Sequence, residues 1–228
     1  MRRIVIIGAG AQGREVLEIL RHQAQTQSEI QALGFIDDDI KLRSQIIDGA
    51  PVLGTFDWFQ GVDRGEVAVI CASGFPETRK HLADRAAAIG LRFANAISPV
   101  AYVSPNAVMG EGVVIYQNGS AARGAFIGDH SIINIGAIVS HDTKLGSYAT
   151  LNPGVNLAGN ISVGEGCYLG IGCSVIQGIN IGAWTTIGAG AAVVSDIPAK
   201  VIAVGVPARV IKTIEKGSHE QSTSAAGK

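Results

Sequence analysis

Apolar residues recur every sixth position across the second half of the chain. Stepping by six from Val103 meets Met109, Ile115, Ala121, Ile127, Ile133, Val139, Leu145, Leu151, Leu157, Val163, Leu169, Val175, Ile181, Ile187 and Val193, with no slip in register. The next residue is often glycine, as at Gly110, Gly128, Gly146, Gly164, Gly170, Gly182 and Gly188. The residue four places on is usually small or β-branched, as at Ala107, Ser131, Ala137, Ala149, Cys167, Thr185 and Ala191. A period of six matches neither a helix at 3.6 nor a strand at 2. It matches a coil in which each unit makes one short strand and one turn and sends one side chain inward. Parallel strands then stack coil on coil around an aliphatic column. Each buried Val or Leu contributes roughly 1.5–3 kcal/mol, provided that a neighbouring coil covers it. Glycine suits turns with positive φ. The pattern therefore predicts a parallel β-helix, without fixing its hand.

The first 97 residues carry a different pattern. Residues 3–7 (RIVII) read as a buried strand that runs into Gly8-Ala9-Gly10-Ala11-Gln12-Gly13, a complete GxGxxG. Helical spacing follows through Val16, Leu17, Ile19 and Leu20. Strand, glycine turn and helix together form the context in which this motif binds phosphate at a helix N-terminus. A second strand over 30–36 ends at Asp37-Asp38-Asp39, where an acid can hold a ribose or a base. PVLGTFDWF reads as a short strand and a turn or helix start. EVAVICA is a third buried strand ending at Ser73-Gly74, a helix is expected over 76–89, and residues 91–97 read as the last strand. Arg79 and Lys80 on that helix either meet a phosphate or sit on a solvated face. The glycine turn has three readings: a tight turn only, a nicotinamide dinucleotide site, or a nucleotide-sugar site. The α/β region is too short for the two mononucleotide halves of a dinucleotide fold, whereas a nucleotide sugar needs one.

Ser98-Pro99 marks the expected boundary between a Rossmann-like domain over 1–97 and the coil over 98–204. Residues 205–217 are expected to form a loop and a short helix capping the coil, since terminal repeats must be covered. The polar segment 218–228 is expected to be disordered.

Composition changes this picture little. A net charge of −1 gives no pull toward nucleic acid or an anionic membrane. Cys71, Cys167 and Cys173 form no CxxC and read as reduced, buried thiols. With no signal peptide and no apolar run of membrane-spanning length, the expectation is a cytoplasmic protein. No metal site is expected.

Inside the repeat, one hexapeptide carries chemistry: Val139-Ser140-His141-Asp142-Thr143-Lys144. A neutral imidazole, with an ordinary pKa of about 6.5, accepts a proton near neutrality. A carboxylate on its other nitrogen fixes the tautomer. Neighbours on a flat strand point apart, so Asp142 reaches His141 only at a coil corner. From the residues alone, His141 is either a base or a plain corner histidine.

The repeat, over about ninety residues, resembles the hexapeptide-repeat acyltransferases, whose prism is left-handed with three hexapeptides per turn. The whole chain, with GAGAQG in a small α/β domain, then the prism, then GVPAR, resembles the sugar acetyltransferases of the PglD and NeuD kind. In that family the catalytic histidine lies in a segment like INxxxxxxH[DE]xxIG. Here Ile133-Asn134, His141-Asp142 and Leu145-Gly146 match it. The resemblance implies His141 as general base, Asp142 as its orienting carboxylate, and a backbone N–H such as that of Gly159 for the oxyanion. It places a nucleotide sugar at Gly10, Ala11, Gln12, Asp37, Asp38 and Gly74. It places acetyl-CoA near Thr150, Gly159, Ile171, Gly188 and Ala189, between the subunits of a homotrimer.

The implied reaction is N-acetylation of a UDP- or dTDP-linked 4-amino-4,6-dideoxy sugar by direct attack on the thioester. O-acetylation of sialic acid or another sugar is the alternative. A non-catalytic trimeric nucleotide-binding scaffold is a third reading, opposed by His141-Asp142. Serine acetyltransferase is disfavoured because that family has a helical N-terminal domain. Two departures stand out: Gln12 where relatives often carry histidine, and Thr150 where relatives often have a histidine near the thioester. Asp142 replaces the commoner Glu.

Overall fold

The computed structural model describes residues 2–214. The buried run RIVII and its flank form β1 (Arg2–Ile7), which leads through the glycine turn into α1 (Ala11–Thr26). Then come β2 (Ile30–Ile36), β3 (Ile46–Ile47), β4 (Ala50–Gly54), a short 3-10 turn (Phe56–Gly61), β5 (Val67–Cys71), α2 (Pro76–Ala88) and β6 (Arg92–Phe93). The sheet order is β3-β4-β2-β1-β5-β6, parallel except where β3 meets β4. β1 and β5 are buried on both faces, so they read as continuous apolar runs.

The strand expected over 91–97 is two strands in two sheets. β6 closes the α/β sheet, while β7 (Ala96–Ile97) pairs with Val114–Ile115 of the coil. Asn95 makes the crossing, its side chain bonding the carbonyl of Gly110 and the N–H of Val113.

From β7 onward two-residue strands recur every six residues, and each up to Ser174–Val175 pairs in parallel with the strand eighteen residues later. Three sheets result, the faces of a triangular prism. One face runs from β7 through Val114–Ile115, Ile132–Ile133, Thr150–Leu151, Tyr168–Leu169 and Thr186–Ile187. The second contains Ile138–Val139, and the third Lys144–Leu145. The period-six aliphatics from Ile115 onward are buried in one core. The small residues four places on fill its corners. Ser131, Thr143 and Thr185 are buried there, and each hydroxyl donates to a carbonyl of the next coil.

The glycines that follow the inward residue serve a purpose other than positive φ. A Cβ on Gly128, Gly146 or Gly164 would stand 2.4–2.6 Å from a backbone nitrogen of the next coil, so close stacking of coils requires them. Positive φ falls two residues later, at Gly112, Asn118, Gly124, His130, Gly136, Asp142 and onward.

The C-terminal helix expected within 205–217 is absent from its described part. Val201–Val204 joins the first prism face, and Arg209–Thr213 pairs with it antiparallel. RVIKT is β-branched, which favours a strand, and the last coil offers an unpaired edge. Val201, Ala203 and Ala208 enter the column and cover its end. The tail 218–228 lies outside the described residues.

The α/β domain docks on the first prism face. α1 packs on β7, and Val16, Leu17, Ile19 and Leu20 share a core with outward Val114, Tyr116 and Ile132. Arg79 overturns both of its sequence readings, because it is fully buried. Its Nε donates to the carbonyl of His130 at 2.7 Å, Nη1 to Ser73 at 2.5 Å, and Nη2 to Tyr148 at 2.6 Å and to Thr150 Oγ1 at 2.9 Å. Burial lowers its pKa to about 10, which still leaves it charged at neutral pH. Lys80 pairs with Asp84 at 2.8 Å.

His130 lies in the same seam, 4% exposed, stacked on Tyr148 and edge-on to Phe93. Its Nδ1 has no partner. Burial, with the charge of Arg79 acting in the same direction against Asp129 and Asp84, lowers its pKa to about 4. A histidine held neutral when folded but titrating at about 6.5 when unfolded stabilises the fold above pH 6.5. That contribution, up to about 3 kcal/mol, is lost as pH falls from 6.5 to 4. His130→Asn, whose side chain tolerates the positive φ of 56°, is expected to flatten the fall in melting temperature between pH 7 and 4.5. An unchanged slope would assign acid lability elsewhere.

Candidate active site

His141 and Asp142 occupy the turn between the second and third prism faces, the edge opposite the face that carries the α/β domain. Asp142 has φ +57°, and this left-handed corner swings its carboxylate back beside its neighbour. His141 Nδ1 lies 3.0 Å from Asp142 Oδ2. An ionised carboxylate only accepts, so Nδ1 carries the proton and Nε2 keeps a free lone pair. Both side chains are about half exposed, 55% and 52%.

Two glycines one coil away make the room. A Cβ on Gly124 would stand 2.4 Å from Asp142 Oδ1, and one on Gly159 would stand 2.3 Å from His141 Cε1 and 2.4 Å from Nε2. The ring therefore lies against the backbone of Gly159. The hexapeptide pattern does not single out Gly124. Its signal is the eighteen-residue coil period that links 124 to 142 and 141 to 159.

The glycine turn is also assembled. Gly8 has φ +108°, and a Cβ there would press on the carbonyl of Ala72 at 2.8 Å. Gly13 brings α1 against the carbonyl of Gly8, where a Cβ would stand at 2.0 Å. The Cβ direction of Gly10 is open, with nothing within 4 Å. A cavity of about 270 Å³ at the strand ends is lined by Gly8, Asp37, Asp38, Ser73 and Thr78 among others. Gln12 Oε1 faces Gly74, so the start of α1 and the loop after β5 adjoin there, while Gly10, Ala11, Gln12 and Gly74 lie outside the lining of that cavity. The two acids are already engaged. Asp37 accepts from the N–H groups of Ala9 and Asp39, and so props the turn. Asp38 pairs with Arg85 at 2.5 Å, which holds its carboxyl below the usual range.

The residues assigned to the cofactor divide. Thr150 is 1% exposed, bonded to the Gly74 carbonyl and Arg79. It is a seam residue, because the α/β domain covers it. Ile171 and Ala189 are exposed and stack at the corner between the first and second faces. A Cβ on Gly188 would meet Val204 Cγ1 at 2.7 Å, so that glycine gives room to the capping strand. Within one chain, Gly159 and the pair Ile171 and Ala189 lie on different prism edges.

Burial pushes the Cys71 thiol up to about 12, Cys167 to about 11 and Cys173 to about 12, so all three stay protonated. Among the described residues, no three of His, Cys, Asp and Glu gather in a way that could hold a metal ion. No described helix is long and apolar enough to cross a membrane.

The PglD N-terminal domain family matches residues 3–86. The acetyltransferase domain of PglB from Neisseria gonorrhoeae superposes with a TM-score of 0.84 at 30% identity, over 92% of this chain and 100% of that one. PerB from Caulobacter crescentus, solved with CoA and GDP-perosamine, gives 0.85 at 37% identity over 93% and 98%. WeeI from Acinetobacter baumannii gives 0.83 at 29% identity over 92% and 100%. No match was found among curated proteins. Because the likeness spans both the α/β domain and the prism, the chain belongs to the hexapeptide-repeat sugar acetyltransferases of the PglD kind, enzymes built on a left-handed β-helix.

Proposed function

We propose that the protein transfers the acetyl group of acetyl-CoA to the amino group of a nucleoside-diphosphate-linked 4-amino-4,6-dideoxy sugar. The observation that carries the reading is the His141–Asp142 pair, with Nδ1 3.0 Å from the carboxylate on an open prism edge. Nε2 takes a proton from the acceptor amine as the nitrogen attacks the thioester carbonyl. Asp142 holds the tautomer and stabilises the imidazolium. The Gly159 N–H stabilises the oxyanion as it forms, and CoA thiolate leaves. PerB, 37% identical, was solved with CoA and GDP-perosamine, and the PglB domain with acetyl coenzyme A. Both support this pairing of co-substrate and acceptor.

The working unit is a homotrimer. His141 sits on the edge farthest from its own glycine turn, so a sugar held by that turn reaches an imidazole on a neighbouring subunit. Beside His141 the second and third faces expose Tyr102, Ile138, Val108 and Phe126, apolar area that a second copy buries. Ile171 and Ala189 of one subunit and Gly159 of another then flank one acetyl-CoA. Location in the cytoplasm, where acetyl-CoA and nucleotide sugars are made, fits this chemistry.

The test is thiol release from acetyl-CoA with UDP-, dTDP- and GDP-linked 4-amino sugars, their 4-hydroxy counterparts and sialic acid. Release with an amino sugar alone is expected. Release with sialic acid or a hydroxy sugar alone would make it an O-acetyltransferase, and release with none would leave the scaffold reading.

A further inference from the structure

A hydrogen-bond chain ties the glycine turn to the prism. Tyr116 follows inward Ile115, projects beneath α1 and is 2% exposed. Its hydroxyl donates to Glu15 Oε2 at 3.0 Å, and the Gln12 amide nitrogen donates to the Tyr116 oxygen. The direction of this chain is fixed by donor count. An ionised carboxylate only accepts, so the phenol gives its single proton to Glu15, and its oxygen can then only accept. Gln12 must turn its NH₂ to Tyr116 and its Oε1 away. That oxygen comes 3.5 Å from where a Cβ on Gly74 would stand, while the neighbouring Gly10 opens onto free space. The acceptor oxygen thus borders the open surface between the glycine turn and the loop after β5.

We infer that Glu15 and Tyr116 are positioning residues that present Gln12 Oε1 as a fixed hydrogen-bond acceptor for a hydroxyl or ammonium group of the acceptor sugar. An amide oxygen is the negative end of its dipole. It disfavours a phosphate oxygen and favours a donor. A glutamine free to flip offers NH₂ as readily, and so does not discriminate. The relay removes that freedom. Burial, reinforced by the Glu15 carboxylate, raises the pKa of the Tyr116 phenol, so the chain keeps its direction near neutrality. The inference rests on the nucleotide-sugar reading of the glycine turn and adds a hydrogen-bond polarity to it.

Calorimetric titration of wild type, Tyr116→Phe and Gln12→Met tests it. The ligands are the 4-amino nucleotide sugar that wild type uses, its 4-deoxy counterpart and the matching nucleoside diphosphate. Both variants are expected to bind the amino sugar about tenfold more weakly and the diphosphate within twofold of wild type, with KM for acetyl-CoA unchanged. A penalty that vanishes with the 4-deoxy sugar makes the 4-ammonium the partner, and one that persists makes it a ring hydroxyl. Equal weakening of sugar and diphosphate would show that the chain merely holds α1 in place, and unchanged sugar binding would show that Gln12 reads nothing. Either result overturns the inference. If wild type binds neither ligand, the nucleotide-sugar reading fails first and the relay with it.

Discussion

Alanine at position 141 is expected to lower kcat by about 10²–10⁴-fold, the usual worth of a positioned general base. KM for acetyl-CoA should stay within a few fold, and thermal stability should not change. The imidazole is half exposed and bonded to one neighbour, so its loss leaves no cavity and no buried orphan. Asp142→Asn should lose part of the rate, because an amide no longer enforces the Nδ1–H tautomer. Gly159→Ala is an independent probe. Its Cβ would stand 2.3 Å from His141 Cε1, so the ring must move, and kcat should fall although His141 is intact. Thiol-release kinetics on the three variants decide the matter. Full activity in His141→Ala would end the base assignment, and a Gly159→Ala enzyme as fast as wild type would mean that the ring's position does not matter.

Arg79→Met should destabilise the protein by about 3–5 kcal/mol, lowering the melting temperature by roughly 10 °C. The guanidinium is fully buried and supplies donors to carbonyls of both domains: Ser73 on one side, His130 and Tyr148 on the other. Methionine fills much of the volume and supplies none of those donors, and buried acceptors left without partners carry the cost. Arg79→Lys should recover little, because a point ammonium cannot reach three carbonyls in the divergent directions of a planar fork. The same bonds hold Ser73-Gly74 against the prism, so nucleotide-sugar affinity should fall together with stability. Calorimetric melting of both variants checks this. A melting point within 2 °C of wild type would show that the seam rests on α1 and β7 alone.

Much of this is legible in the sequence. The six-residue column from Val103 to Val193 predicts the coil, because a side chain that must enter a narrow core at each turn leaves its period in the chain. GAGAQG between an apolar strand and an amphipathic helix predicts the turn, since close backbone approach admits only glycine at Gly8 and Gly13. The seam was illegible. Arg79 sits on a helix whose spacing gives no cue that a prism covers it, and the prism carbonyls that hold it lie 51 to 70 residues away. Arg209–Thr213 is a strand and not the expected helix because a short β-branched stretch becomes a strand only when an edge is offered.

By itself, the sequence determined the coil, the glycine turn and the histidine with its acidic neighbour, since each depends on residues near in the chain or on a strict period. The tertiary structure alone decided which face carries the α/β domain, and hence that the imidazole lies on the far edge. It also decided that Arg79 and Thr150 belong to the seam rather than to a ligand, and that Gln12 turns its oxygen outward. Those outcomes depend on contacts between distant segments, where burial and unmet hydrogen bonds, rather than local pattern, choose the partner.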